Sequence, residues 1–324
     1  MKYQLITIVL GYLLLINSIN SADNYVFAAN QRSLAKASFS DPHPVKIKGL
    51  PLGAYRKPIS TEEPFISRDG RFLFFNSGKN ENHKDLHYAE LIKKKWVYRG
   101  QMGSDINTKK FVEANPTMDE NNNFFYIDTS VHRMVSLAKF SPETGQLSGK
   151  GEFRNIPSRQ MKIVDNKLHG NMGVEISADG KTLYFSRAVW ELRDKDVGRV
   201  LSSNVFFLVK KNRDYFFDRM QSRKIMQNIN TSDLEYAASI SSDGLELFFT
   251  RISLEAFKKG KIRSKIMHST RSSLSLPFNP PQMIKSIGAA DFVEGPALTN
   301  NNKELYYHKY NGSKFRLFKV KRYN

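Results

Sequence analysis

Seven residues before a recurring turn stand the carboxylates Glu62, Glu113 and Glu294, and eight before it stands Glu235. Eight residues after the same turn stand the bases Arg187, Arg251 and Lys309, with Ser77 and Asp128 in the remaining copies. Two carboxylates flanking a bond are the requirement of glycoside hydrolysis. Carboxylates and cations around one opening also make a polar rim for a ligand, a metal or a partner loop. Duplicated repeats give the same pattern without any chemistry, as ion pairs or caps of loop amides, and exposed pairs of that kind add little stability. Glu62, Glu113, Glu235, Glu294, Arg187, Arg251 and Lys309 are therefore candidate ligand-binding residues, and no residue is assigned a catalytic role.

Other chemistry is sparse. The seven histidines (His43, His83, His87, His132, His169, His268 and His308) show no metal-ligand spacing such as His-x-x-x-His. There is no Gly-x-Ser-x-Gly elbow, P-loop or zinc motif. Nothing calls for a cofactor or a metal. His87 and His268 fall in expected strands and read as packing or surface residues.

The turn that sets the register belongs to a phrase repeated five times. It reads Pro64 to Phe75, Val174 to Phe185 and Ala238 to Phe249, with weaker copies at Pro116 to Tyr126 and Pro296 to Tyr307. The anchors Asp69, Glu120, Asp179, Asp243 and Asn301 lie 51, 59, 64 and 58 residues apart. A four-stranded antiparallel blade takes about 40 residues or more, with the surplus in loops. Before each anchor the run is short and small-sided, as in Ala237 to Ser241, which suits a strand crowded against an axis. After it the run is aliphatic and aromatic, as in Leu247 to Thr250, which suits a strand buried on both faces. Asp-Gly between two such runs signals a tight turn, because Gly tolerates positive φ and Asp bonds the turn amides.

A third strand is expected at Asp85–Ala89, Val205–Val209, Lys265–His268 and Phe315–Lys319, and a fainter outer strand at Trp96–Tyr98. The last repeat lacks its own outer strand, and Val45 to Leu50 is the candidate to supply it, which would remove an exposed edge. The expected architecture is an all-β, single β-propeller of five four-stranded antiparallel blades closed by an N-terminal strand. Six blades follow instead if residues 30–60 or 187–230 hold a degenerate copy.

The phrase Ser-x-Asp-Gly followed by Leu-Tyr/Phe-Phe resembles the WD40-like (PD40) propeller repeats of bacterial exported proteins, the repeat type of the Tol-system periplasmic propeller. The stretch Glu235 to Phe278 carries the resemblance most fully, and it extends over roughly residues 60 to 320. It implies the fold and an envelope location, and it is silent on activity because propellers host many functions.

Composition sets further bounds. The chain has 324 residues, 40% of them hydrophobic, and no cysteine, so an exported form relies on its core and not on disulfides. Lys2, the apolar run Leu5 to Ile16 and the small or polar residues to Ala22 follow the order of a secretory signal, cleaved after Ala22 or Ala28. The run is short of the roughly 20 residues of a membrane span. The expected organisation is a signal at 1–22, an extension at 23–44 and the propeller at 45–324, with no transmembrane span after cleavage. The net charge of +19 is spread along the chain, with clusters only at Lys93–Lys95 and Lys258–Lys265. Nucleic-acid binding calls for basic residues gathered on one face among aromatics, and is not expected. Weak attraction to anionic envelope polymers or lipid headgroups is, as is a set of merely solvated lysines.

Three function classes follow. The leading one is a non-enzymatic binding or scaffold propeller of the periplasm or cell exterior, monomeric, recognising an envelope protein or anionic polymer through loops on its channel face. The second is a glycan-active enzyme, because five-bladed propellers resembling certain glycoside hydrolases place carboxylates at the channel mouth. The third is a peptidase-associated propeller whose hydrolase domain is a separate protein.

Overall fold

Four of the five repeat phrases close on the same hydrogen-bonded turn. In the first, the Ser67 hydroxyl donates to Asp69 and accepts the Phe72 N–H at 2.8 Å, while Asp69 accepts the Arg71 N–H. Gly70 takes the left-handed position at φ 76°, where a Cβ would be strained. Ser177–Asp179 and Ser241–Asp243 repeat these bonds, and Thr299 and Asn301 play the same parts in the last copy. The Ser-x-Asp-Gly signature is thus a turn lock, with its polar atoms consumed by the turn itself.

The second copy departs from the expected anchor. Asp119, not Glu120, accepts the N–H groups of Asn121 and Asn123, and Asn122 is the left-handed residue at φ 61°. The bond that closes this turn spans Asp119 to Asn123, one residue fewer than Ser67 to Phe72.

The computed structural model describes residues 38–323 except 54–55, 81–82, 104, 158–161, 194–195, 261–262 and 290. The expected signal and most of the 23–44 extension lie outside the described residues. Residues Phe39–Tyr323 pack as one compact unit.

Strand pairing groups this unit into five blades. From the inside outward the first holds Glu62–Ile66, Phe72–Asn80, His83–Ile92 and Lys95–Gln101. The second holds Glu113–Met118, Asn123–Asp128, Val135–Ser141 and Gln146–Glu152. The third is built from Lys167–Ile176, Thr182–Arg193, Asp196–Lys211 and Asp214–Phe216. The fourth comprises Leu234–Ile240, Glu246–Ile252, Ser264–Thr270 and Gln282–Met283. A single parallel pair, Ser203 with Leu234, links the third and fourth blades. Among the described residues, 187–230 form long strands of the third blade and a helix, Arg219–Ile225, and show no sixth copy.

The fifth blade has Val293–Leu298, Glu304–Tyr310 and Phe315–Tyr323, and its outer strand comes from the chain start, as expected. The strand that closes it lies upstream of the expected segment. His43 and Pro44 pair with Lys319 and Phe318, and the Val45 N–H bonds the Leu317 carbonyl. Ile47 and Lys48 instead run parallel to Trp96 and Val97 at the outer edge of the first blade. A strap from Val45 to Lys48 therefore spans the seam between the last blade and the first.

Five apolar clusters fill the spaces between adjacent blades. Phe72 and Phe74 meet Phe124 and Phe140 between the first two, with Phe74 and Phe140 edge-to-face at 5.0 Å. Val174 and Phe185 meet Phe125 and Phe153 in the next. Tyr184 and Phe207 pack with Leu247 and Phe249, and Phe248 and Ile266 with Leu305 and Tyr307. The fifth cluster closes the ring, joining Ala297, Tyr306 and Leu317 to Leu73, Phe75 and Trp96. The second strand of each repeat is aromatic because it faces a neighbour on both sides.

Candidate functional site at the channel mouth

Each inner strand carries a bulge near its start. The left-handed residue of that bulge is Glu63 at φ 48°, Asn115 at 49°, Ala237 at 50° and Gly295 at 61°. In the third blade the register shifts between Asn171 and Gly173. Three of these left-handed residues are not glycine, a conformation that costs on the order of 1 kcal/mol each and concentrates at functional sites. Glu62 and Glu294 directly precede the left-handed residue, whereas Glu113 and Glu235 stand two before it. A one-residue step along a strand reverses the face, and the four carboxylates divide accordingly into two pairs.

Glu113 and Glu235 turn into their own blades and tie down the incoming loop. Glu113 accepts the hydroxyl of Thr108 at 2.8 Å and its N–H at 3.1 Å, and Glu235 accepts the hydroxyl of Thr231 at 2.6 Å and its N–H at 3.0 Å. Both are fully buried, and burial pushes both carboxyls above the usual range. Arg251 stands opposite Glu235 and bonds it at 2.8 Å, with its other arm on the Ile229 carbonyl. Glu113 faces a second acid, Asp128, which Ser130, Ser136 and Lys150 hold. These groups are buried, not exposed, so their bonds hold loops and do not form an open rim.

The remaining candidate bases also stay near their own loops. Arg187 lies opposite Asn171 and donates to the Pro157 carbonyl at 2.9 Å. Lys309 lies opposite Val293 and pairs with Asp291 at 2.6 Å.

Glu62 and Glu294 belong to a different cluster, which straddles the seam of the fifth and first blades. Glu62 accepts Ser60 and Lys84, each at 2.8 Å. Burial pushes its carboxyl up, but Lys84 outweighs this and holds it below the usual range. Glu63, next in sequence, reaches toward the second blade, where its carboxylate accepts the Asn115 N–H at 3.0 Å. Burial pushes the Glu63 carboxyl up, against the pull of Lys84 and His308 and with added repulsion from Glu62 and Glu294. The Glu63 N–H donates to Nδ1 of His308 at 3.0 Å. That leaves the ring proton on Nε2, which faces Glu294 at 3.2 Å. Tyr236 of the fourth blade donates its hydroxyl to the other oxygen of Glu294.

Behind this cluster the axis is nearly closed. Glu63, Asn115, Glu175, Ala237 and Gly295 line a cavity of about 10 Å³, room for roughly one water. At the far end Arg68 crosses from the first blade to the carbonyls of Met118 and Ile176 and stands 3.6 Å from Glu175. Burial pushes the Glu175 carboxyl up, against Arg68 and a bond from Thr117. Among the described residues no cluster of three or more acidic, His or Cys groups could hold a metal ion.

Counting from the turn located Glu62 and Glu294 but missed Glu63, His308, Tyr236 and Lys84. The doublet Glu62-Glu63 was a visible signal. The bulge that turns Glu63 toward the axis has no signature in a single chain.

The ring of blades and the inward bulges define a β-propeller with a carboxylate-lined channel mouth. No protein-family model matches the chain, and no curated protein matches it by sequence. Similarity to solved structures is at the level of the fold. A glycoside hydrolase superposes with a TM-score of 0.57 at 10% identity, over 90% of this chain and 94% of that one. The catalytic domain of the Coprinopsis cinerea GH62 α-L-arabinofuranosidase superposes at 0.52 with 11% identity, over 88% and 97%. A putative TolB from Agrobacterium tumefaciens reaches 0.38 at 11% identity, over 83% and 79%, too distant to bear on the repeat type. No helix among the described residues is long and apolar enough to cross a membrane.

Proposed function

We propose that the protein is a glycan-active enzyme of the glycoside-hydrolase type that works at the channel mouth. The observation that carries this is the seam cluster of Glu62, Glu63, Glu294 and His308, in which the adjacent carboxyls of Glu62 and Glu63 are pushed in opposite directions. Carboxyls whose environments separate their titration are the mark of an acid–base pair. Glu63, whose carboxyl burial pushes up, is assigned the role of the acid that protonates the glycosidic oxygen as its bond to the anomeric carbon breaks. Glu294, oriented by His308 and Tyr236 and partly open to solvent, is the carboxylate that takes a proton from the water whose oxygen bonds the anomeric carbon as the glycosidic bond breaks. Lys84 keeps Glu62 ionised beside them. The axial cavity is too small for a sugar ring, so the glycan lies across the mouth. The glycoside hydrolase and arabinofuranosidase that share the fold support the substrate class, with pentosides the first to try.

Screening the purified full chain on arabinan, arabinoxylan and a panel of nitrophenyl glycosides tests the reading. Release of reducing sugar from at least one is expected, and no turnover on any of them overturns it.

A second reading, an exported binding or scaffold propeller, draws on the way Glu113 and Glu235 are spent on loops, which removes two of the four expected carboxylates from chemistry. Export is common to both readings and rests on the basic-then-apolar chain start and on the WD40-like phrase.

A further inference from the structure

A second cavity lies at the opposite end of the propeller from the channel mouth. It is a groove of about 1000 Å³ at the seam of the fifth and first blades, lined by the Asp69-Gly70 turn, the Thr299–Asn301 turn and the Val45–Lys48 strap. Six cations and two carboxylates line it. The carboxylates are already engaged, Glu304 by Lys319 at 2.9 Å and Asp69 by its own turn. Arg68 is likewise spent on carbonyls across the axis. Lys46, Lys48, Lys94 and Lys95 are exposed and have no ion-pair partner among the described residues.

Two separate features of the backbone display these lysines. Along the strap, Val45 and Ile47 turn into the fifth apolar cluster, so alternation directs Lys46 and Lys48 outward. In the hairpin between His83–Ile92 and Lys95–Gln101, both central residues are left-handed, Lys93 at φ 46° and Lys94 at φ 63°. Such turns favour Asn-Gly, and the Asp165-Asn166 hairpin of the third blade, at φ 50° and 59°, uses suitable residues. Of the two lysines, Lys94 lines the groove and Lys93 does not, and Lys95 follows at the start of the outer strand.

The groove also specifies more than charge. The Oδ1 of Asn300, on its wall, is buried with no hydrogen-bond partner among the described residues. A turn of the half-buried Asn300 side chain would present it to a ligand hydroxyl. Trp96 and Tyr306 form the floor but are 7% and 3% exposed, which leaves no open aromatic face for stacked bases. The volume is that of a pocket for an organic ligand and far exceeds a single inorganic anion.

We propose that this groove binds an anionic oligosaccharide, with Lys46, Lys48, Lys94 and Lys95 on its carboxylates or sulfates and Asn300 on a hydroxyl. The site lies on the face opposite the channel mouth and stands or falls separately from the enzymatic reading.

Calorimetric titration of the full chain at low salt, where surface charges are least screened, tests it. The probes are hexagalacturonate, a sulfated heparin hexasaccharide, fully methyl-esterified hexagalacturonate and a single-stranded oligo-dT. At least one anionic hexasaccharide is expected to bind, and which one identifies carboxylate or sulfate as the charge carrier. Lys46→Gln/Lys48→Gln and Lys94→Gln/Lys95→Gln should each weaken it about tenfold or more, while Lys258→Gln on the fourth blade leaves it unchanged. Thermal melts confirm that the exposed substitutions leave the fold intact. The proposal is overturned if neither anionic hexasaccharide binds, if the lysine pairs bind like wild type, or if the ester or oligo-dT binds as tightly.

Discussion

The backbone N–H of Glu63 donates to Nδ1 of His308 at 3.0 Å across the seam between the last blade and the first. Closure of the propeller and orientation of the candidate carboxylates are therefore one event. The bond aims Nε2 at Glu294, so a group from the fifth blade is set by the backbone of the first. Gly295 lies beneath the ring, and a Cβ there would stand 2.9 Å from Nδ1.

Gly295→Ala should therefore displace His308 and strain a residue held at φ 61°. The backbone cost is about 1 kcal/mol, tolerable for the fold. A misaligned carboxylate costs far more in rate, and turnover of the glycan substrate should fall at least about tenfold. A melt and a rate measurement on the same preparation check this, and unchanged turnover contradicts it.

Arg251 and Glu235 form a buried pair, with Glu235 fully enclosed. Arg251→Ala strands a carboxyl away from water and should cost about 3 kcal/mol in urea unfolding. Glu235→Gln keeps one acceptor oxygen, turns its NH2 toward a donor of Thr231 or Arg251 and leaves the partly exposed Arg251 unpaired. It should cost less because no buried carboxyl is stranded. Equal losses for the two variants would show that the charge on Glu235 is not what Arg251 compensates.

Arg322 of the last blade pins Glu246 of the fourth with two bonds, at 2.9 and 2.6 Å, and His268 adds a third at 2.8 Å. Burial raises the Glu246 carboxyl, but these partners bring it down to about 2 from 4.5. Its contribution is present above about pH 4.5 and is lost as the pH falls toward 2. After allowance for solvent screening it amounts to about 1–2 kcal/mol. Arg322→Ala should be destabilised at pH 7, with the gap to wild type closing as the pH approaches 2. A gap that persists in acid would assign the loss to the packing of Arg322 on Phe39 and Phe248 instead.

His87 is buried, stacks on Phe75 at 5.5 Å and bonds the Tyr98 hydroxyl. Burial lowers its titration from 6.5 to about 4. Stability from the neutral ring is complete above pH 6.5 and declines as the pH falls from there to about 4. His87→Phe should flatten that limb of the stability profile, measured by denaturant midpoints across the range. An unchanged limb would assign the slope to another group.

The turns and the strand order were legible because they rest on local chemistry. Ser67, Asp69 and Gly70 lock one another within five residues, and a single chain displays that directly. The seam was legible only in outline, since a blade short of one strand must borrow it. The choice of His43–Pro44 over Val45–Leu50 depends on where the strap turns toward Trp96, a contact distant in sequence. The carboxylates were found, but their division was not. Glu113 and Glu294 share an offset from the turn yet point to opposite faces, because the second turn is one residue shorter. Glu63 escaped for a related reason, since its orientation comes from a left-handed bulge that any residue type can hide.

Glu63→Gln is the most direct test of the channel mouth as an acid–base site. Glutamine keeps an acceptor for Asn115 but holds no acidic proton. It also removes a carboxyl that burial pushes up, one that favours the folded state less as the pH rises. Turnover of the glycan substrate should fall by about a hundredfold or more, with the melting temperature at pH 7 unchanged or higher. A Glu63→Gln protein that melts normally and turns over like wild type would contradict the account.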